Sequence, residues 1–228
     1  MRRVRAFLTL AALTAVAACS DSGSSDTTEF DGVIASDGLS GTINISVPGV
    51  VASVVAPNFA GSITAGPTEP AATVNVTATL KVKGGSNVSL TGTYDLDSKT
   101  LGLNGSGYTF TATFAGGRLS GSFTGPNGMG IFSAFSRRGG EVALYCGTFA
   151  GAADGVWNLA RHGNDLAGAF HETDGSSAGT LTGTLSGNAI SLTYTGGTAT
   201  GTLSGSSMNG SWTGSGSTGT WTGSQSGC

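Results

Sequence analysis

Residues Leu101–Ser133, LGLNGSGYTFTATFAGGRLSGSFTGPNGMGIFS, recur without a gap as Ile190–Thr222, ISLTYTGGTATGTLSGSSMNGSWTGSGSTGTWT. The offset is 89 residues. Leu103, Gly107, Thr109, Thr111, Thr113, Gly116, Gly121, Ser122, Thr124, Gly125 and Gly130 are identical to their counterparts. Phe123 becomes Trp212, Phe132 becomes Trp221 and Leu119 becomes Met208, so apolar bulk survives where identity does not. Self-similarity of this kind marks a duplicated supersecondary unit. Within it Tyr108, Phe110, Ala112 and Phe114 alternate with Thr109, Thr111 and Thr113, the period of a half-buried strand. On the next strand Leu119, Gly121, Phe123 and Gly125 share a face opposite Ser120, Ser122 and Thr124. Small and large residues alternating on one inner face suit a small closed barrel. The expected fold is all-β, with two related antiparallel β-meander units, each a small barrel or barrel-like sheet.

Strand signals extend outward in both directions. Leu39–Val47 has strand composition, and Ala72–Val82 alternates Val74, Val76, Ala78 and Leu80 against Thr and Lys. Turns are expected at Lys83–Ser86 and at Asp95–Ser98, where Asp95 and Asp97 suit Asx-type backbone bonding rather than catalysis. Between Pro48 and Ala71 lie four of the five prolines, which a long ladder cannot accommodate. That segment is either a binding loop or a buried crossover. Ser136–Gly140 is a polar break. Val142–Phe149 opens the second unit, and Val156–His162 with Asp165–Glu172 forms a hairpin around Gly163-Asn164. A turn centred there sets Trp157 opposite Phe170 and His162 opposite Asp165. Gly187, Gly196, Gly205, Gly214 and Gly223 are nine residues apart, the interval of one strand plus a two-residue turn.

Glycine contributes 40 of 228 residues without a G-X-Y period, and charged residues are only 10%. Low charge with 38% apolar residues argues against disorder. From Ser176 to Cys228 there is no Asp, Glu, Lys or Arg, so a nonapeptide calcium-binding β-helix, which needs a periodic Asp, is excluded.

The N-terminus is an address. Arg2, Arg3 and Arg5 precede the apolar run AFLTLAALTAVAA, the pattern of a secretory signal over residues 1–18. The run is too short to span a bilayer, which takes about 20 residues. It ends in Val16-Ala17-Ala18-Cys19, which resembles the lipobox of bacterial lipoproteins. The resemblance implies cleavage before Cys19, attachment of diacylglycerol to its sulfur, and a membrane-tethered envelope protein. Ser20 in place of Asp implies the outer membrane. Residues 19–29 are expected as a lipidated tether, 30–140 as the first β-meander unit and 141–228 as the second. Without its three leader arginines the chain keeps seven basic residues against thirteen acidic, a net of −6. No basic patch exists to neutralise phosphates, so nucleic-acid binding is excluded. In an exported protein the remaining pair, Cys146 and Cys228, is expected as a disulfide.

Chemistry-bearing residues are sparse. His162 and His171 stand about six positions apart along the hairpin, roughly 20 Å, too far for a shared metal or a relay. His171-Glu172-Thr173-Asp174 reads as a solvated loop end, and no metal or cofactor site is expected. There is no GxSxG elbow. The Thr runs 109–113 and 198–202 resemble fragments of ice-binding arrays but are too short, and read as solvated strand faces. Trp157, Trp212 and Trp221 are either core or a sugar-stacking platform, with core favoured because two of them replace core phenylalanines. The Gly-spaced strands faintly resemble the C-terminal barrel domains of surface lipoproteins such as transferrin-binding proteins, a likeness that carries over no site residue. The expected role is structural or binding, without catalysis, toward the membrane through its anchor and toward an envelope protein or polysaccharide. The alternatives are a lipocalin-like carrier of a small apolar ligand and a fibre-forming matrix protein.

Overall fold

The structure, a computed structural model, describes residues 27–36, 39–48, 73–126 and 128–228. The leader, Cys19, most of the tether and all but the first residue of the Pro48–Ala71 stretch lie outside these residues.

Two closed barrels of eight antiparallel strands follow one another. The first runs β1 (Thr27–Ser36), β2 (Leu39–Pro48), β3 (Thr73–Val82), β4 (Asn87–Asp95), β5 (Thr100–Gly105), β6 (Tyr108–Ala115), β7 (Arg118–Gly125) and β8 (Gly128–Ser136). The second runs β9 (Val142–Gly151), β10 (Gly155–His162), β11 (Asp165–Glu172), β12 (Ala178–Ser186), β13 (Ala189–Tyr194), β14 (Gly197–Ser204), β15 (Ser207–Gly214) and β16 (Ser217–Ser224), then a short 3-10 turn, Gln225–Gly227. Each strand pairs with its sequence neighbours, and first with last closes each ring. Both units are therefore up-and-down barrels, and the duplicated meander supplies β5–β8 and β13–β16. Two expectations need correction. β1 is absent from the sequence reading, and it begins at Thr27, inside the stretch expected as tether. Its first residues, TTEF, resemble the polar tether in composition, and only pairing with β2 and β8 makes them strand.

Inner faces follow the alternation. Phe30, Ile34, Ile43, Ile45, Leu80, Leu103, Phe110 and Phe132 fill barrel 1 and are almost wholly buried. Thr109, Thr111, Thr113, Thr198, Thr200 and Thr202 are exposed on the outside. Apolar inside and polar outside is the reverse of a membrane-spanning barrel. Turns follow local chemistry: Gly116-Gly117 takes φ of 58° and 78°, open to glycine at no steric cost. At the β4–β5 corner the Asp95 carboxylate accepts the Asp97 and Ser98 amides, and these bonds hold it below the usual carboxylate range.

The nine-residue glycine schedule holds only in part. Gly187, Gly196 and Gly205 are turn residues, but Gly214 and Gly223 lie within strands. There they make room for rings. A β-carbon on Gly223 would sit 2.5 Å from the Trp157 indole, and one on Gly214 would sit 2.6 Å from the Tyr194 hydroxyl.

The two barrels meet along a seam formed by outer faces. Val33 of β1, Phe135 of β8, Val142 of β9, Ala160 of β10 and Ala167 of β11 form one buried cluster. Asn158 in the same seam donates to the Ile34 carbonyl. The Phe135 and His162 rings stack at 5.9 Å. At one margin Arg137, just past β8, pairs with Asp31, whose other oxygen accepts from Asn44 at 2.9 Å.

Cys146 on β9 is bonded to Cys228, 82 residues on, as the sequence implies. The bond ties the first strand of barrel 2 to the turn that follows its last strand.

Two outcomes test this packing. Gly147→Ala places a β-carbon 2.1 Å from the Thr222 carbonyl and 2.7 Å from Trp157, and is expected to destabilise by about 1–3 kcal/mol. Gly102→Ala meets nothing within 4 Å and is expected to stabilise by about 0.5–1 kcal/mol, since strand glycine is entropically costly. Denaturant titration of the two variants should shift the midpoint in opposite directions. Replacing Cys146 and Cys228 together with serine is expected to cost about 2–4 kcal/mol by the same assay.

Candidate functional site

The two copies of the meander fill their interiors differently, and barrel 2 has an opening at one end. In barrel 1, Phe110 stacks on Phe123 at 5.0 Å and meets Phe132 edge-on at 5.2 Å, closing the interior. Its counterpart in barrel 2 is Ala199. The neighbouring substitutions do not refill the space equally. Gly105 and Tyr108, which face each other across β5 and β6, are exchanged for Tyr194 and Gly197, so that ring is kept on the opposite strand. Phe123 and Phe132 enlarge to Trp212 and Trp221 but remain on the walls. The ring lost at Ala199 leaves a cavity of about 240 Å³ that opens at one end of barrel 2.

The cavity is lined by Phe149, Trp157, Phe170, Tyr194, Trp212 and Trp221, with Leu181, Leu192 and Ala199 deeper in. The rings brace one another edge to face. Trp212 meets Phe149 at 6.2 Å, Phe149 meets Phe170 at 6.1 Å, and Phe170 meets Tyr194 at 5.3 Å. Trp157 and Trp221 meet at 5.2 Å. Offset and T-shaped arrangements of this kind are the favourable ones, each contributing about 0.5–1.5 kcal/mol beyond area burial.

Polar anchors fix the rings. Trp157 Nε1 donates to the Thr148 carbonyl at 3.1 Å, and Trp221 Nε1 to the Ser211 carbonyl at 3.2 Å. In both cases the acceptor follows a glycine, Gly147 or Gly210, paired with that tryptophan. The Tyr194 hydroxyl donates to the Thr213 carbonyl at 3.1 Å. Burial, and then the negative charge of Glu172, push the Tyr194 phenol above its ordinary value. Trp212 Nε1 is buried against Gly219 and has no hydrogen-bond partner.

At the rim, Glu172 and Ser177 add polar groups. Ser176 donates its hydroxyl to Glu172, while its amide donates to Asp174 at 2.9 Å. The Ser176 side chain, and then its amide, hold Asp174 below the usual carboxylate range.

The sequence-derived site residues fall as follows. Trp157 and Trp221 are buried and Trp212 is half-buried, so all three pack in the interior while also lining the opening. The expectation of core packing thus holds for these residues. His162 and His171 lie far apart on the hairpin, as the register of Val156 with His171 and His162 with Asp165 requires. His171 is not solvated as expected. It is buried on the outer face of β11, with its Nδ1 2.8 Å from the Glu172 carbonyl. That face is turned toward barrel 1, and burial by another unit leaves no mark in one strand's alternation. Phe149, Phe170 and Tyr194 were not singled out as site residues. The signal for the opening was present, because Phe110 and Ala199 are aligned positions of the duplication.

No family model matches this chain, and no curated protein or solved structure matches it either.

Proposed function

We propose that this protein is a lipid-anchored cell-envelope binding protein without catalytic activity, and that the open end of barrel 2 holds a small, largely apolar ligand. The observation that carries this reading is Ala199 standing where barrel 1 has Phe110. The two sister units share register, and Ala199, where the aligned residue is a ring that fills barrel 1, borders the aromatic-lined space. Small eight-stranded barrels are just wide enough to be filled by side chains or to hold one small ligand. A cavity of about 150 Å³ accepts benzene, so 240 Å³ accommodates a somewhat larger ring compound. Among the lining residues the ionisable groups are Glu172 and Tyr194, which gives no paired acid and base for turnover. Barrel 1, filled with aliphatic and phenylalanine side chains, serves as the spacer between anchor and site.

The carrier reading is preferred here over a purely structural role because of that cavity. It is preferred over a fibre-forming role because ring closure pairs every described strand on both sides, which removes the free edges a fibre would extend from.

The anchor rests on the Val16-Ala17-Ala18-Cys19 motif. Intact-mass measurement of the exported chain is expected to show it beginning at an acylated Cys19, and Cys19→Ser is expected to leave the protein out of the outer-membrane fraction. An unacylated mature chain would remove this part of the reading.

The site is tested by restoring the missing ring. All three tryptophans of the chain line the cavity, so intrinsic fluorescence reports on the site alone. Neutral ring compounds such as indole or naphthol are expected to shift that fluorescence saturably. Ala199→Phe is expected to weaken their binding about tenfold or more, with thermal stability kept or raised, because filling a cavity restores lost contacts. Equal binding by wild type and Ala199→Phe would overturn the assignment.

A further inference from the structure

The binding reading leaves the chemistry of the ligand open, and the charge distribution around the opening narrows it. The open end of barrel 2 is built from residues 151–154, 172–177, 195–196 and 215–216. Its charged side chains are Asp154, Glu172 and Asp174, and these loops contain no Lys, Arg or His. Among the described residues the lining contains no basic side chain. Glu172 is the one carboxylate in the lining, and the Tyr194 phenol feels its charge. Nearby basic groups face elsewhere. His171 is on the outer wall, and Lys83 of barrel 1 borders the outer wall near Thr148 and Val156. Arg161 and the 137–138 arginines belong to the other end of the barrel, where β10 runs into β11.

Six aromatic rings converge below this acidic rim. Ring faces carry negative quadrupole potential, so a cation within about 6 Å of a face is attracted, more strongly once desolvated. A carboxylate at the entrance adds a long-range term of the same sign. An anionic ligand would meet repulsion from both the rings and the rim, with no donor of positive charge to offset it. A neutral ring would gain only burial.

We infer that the open end of barrel 2 selects an organic cation, an amine or quaternary ammonium group carried on a compact apolar body, with its charge directed toward Glu172. This rests on the reading of the cavity as a binding site and adds the class of ligand.

The test compares trimethylphenylammonium with its neutral isostere tert-butylbenzene on the whole chain, followed by tryptophan fluorescence at low and at physiological salt. The two probes have the same shape and differ in charge. The cation is expected to bind about tenfold tighter or more, the equivalent of one pK-sized interaction. Its advantage is expected to shrink as salt rises, because the rim charges are screened. Glu172→Gln is expected to cut the ratio of cation to neutral affinity several-fold, and Ala199→Phe to weaken both probes together. Equal affinities, or a ratio that Glu172→Gln does not change, would overturn the cation assignment and leave the cavity as a site for neutral rings. Probe binding that Ala199→Phe does not weaken, or no saturable binding of either probe, would overturn the cavity itself as the site.

Discussion

The rings that line the opening of barrel 2 fit because a strand beside each one carries glycine. Trp157 lies over Gly147 and reaches Gly223, and Trp221 crosses Gly210 to reach Gly201. Phe149 covers Gly155, Phe170 covers Gly179, and Tyr194 covers Gly197 and Gly214. A β-carbon at any of these positions would fall within 3 Å of a ring or a neighbouring backbone, closer than real atoms approach. The interior of an eight-stranded ring is only as wide as its side chains allow. Alternating a ring with a bare backbone is thus the condition for packing aromatics at native density. Glycine, which in isolation suggests looseness, marks tight places at these positions.

The same constraint distinguishes the interiors of the two barrels. Duplication produced two meanders with common register and common inner faces. In barrel 1 Phe110 fills the interior between Phe123 and Phe132. In barrel 2 the ring at this position is gone, while the surrounding rings, two of them enlarged to tryptophan, are held by the indole hydrogen bonds of Trp157 and Trp221 and by edge-to-face contacts. The walls of the cavity thus brace one another edge to face. The acidic loops belong to the same end, so the opening and its field coincide.

The seam between the barrels rests on small residues. Ala160, Ala167 and Ala169 on β10 and β11 are wholly buried outer-face residues, and their size lets strand backbones approach those of β1 and β8. Asn158 supplies a hydrogen bond in a place closed to water. The His162 ring stacks on Phe135 here, which accounts for one of the two histidines without any chemistry. The seam also places the disulfide. Cys146 sits on β9 where β16 returns, so the bond reinforces closure of the barrel that carries the cavity.

Much of this was legible in the residues themselves. Period-two alternation told inner face from outer, the repeat gave two sister units, and the two cysteines left beyond the leader motif gave the disulfide. These are local or pairwise signals, and each has a direct physical cause in the pleat, the turn or the thiol. What the sequence could not supply was anything set by contacts between distant surfaces. Strand β1 looks like tether until β2 and β8 hold it, and Gly214 and Gly223 look like turns until a ring lies over them. His171 looks solvated until another barrel covers its strand. The cavity belongs to the same class: Ala199 is visible as a small residue in the chain, but only the closed ring of strands shows that no other side chain takes the vacated place.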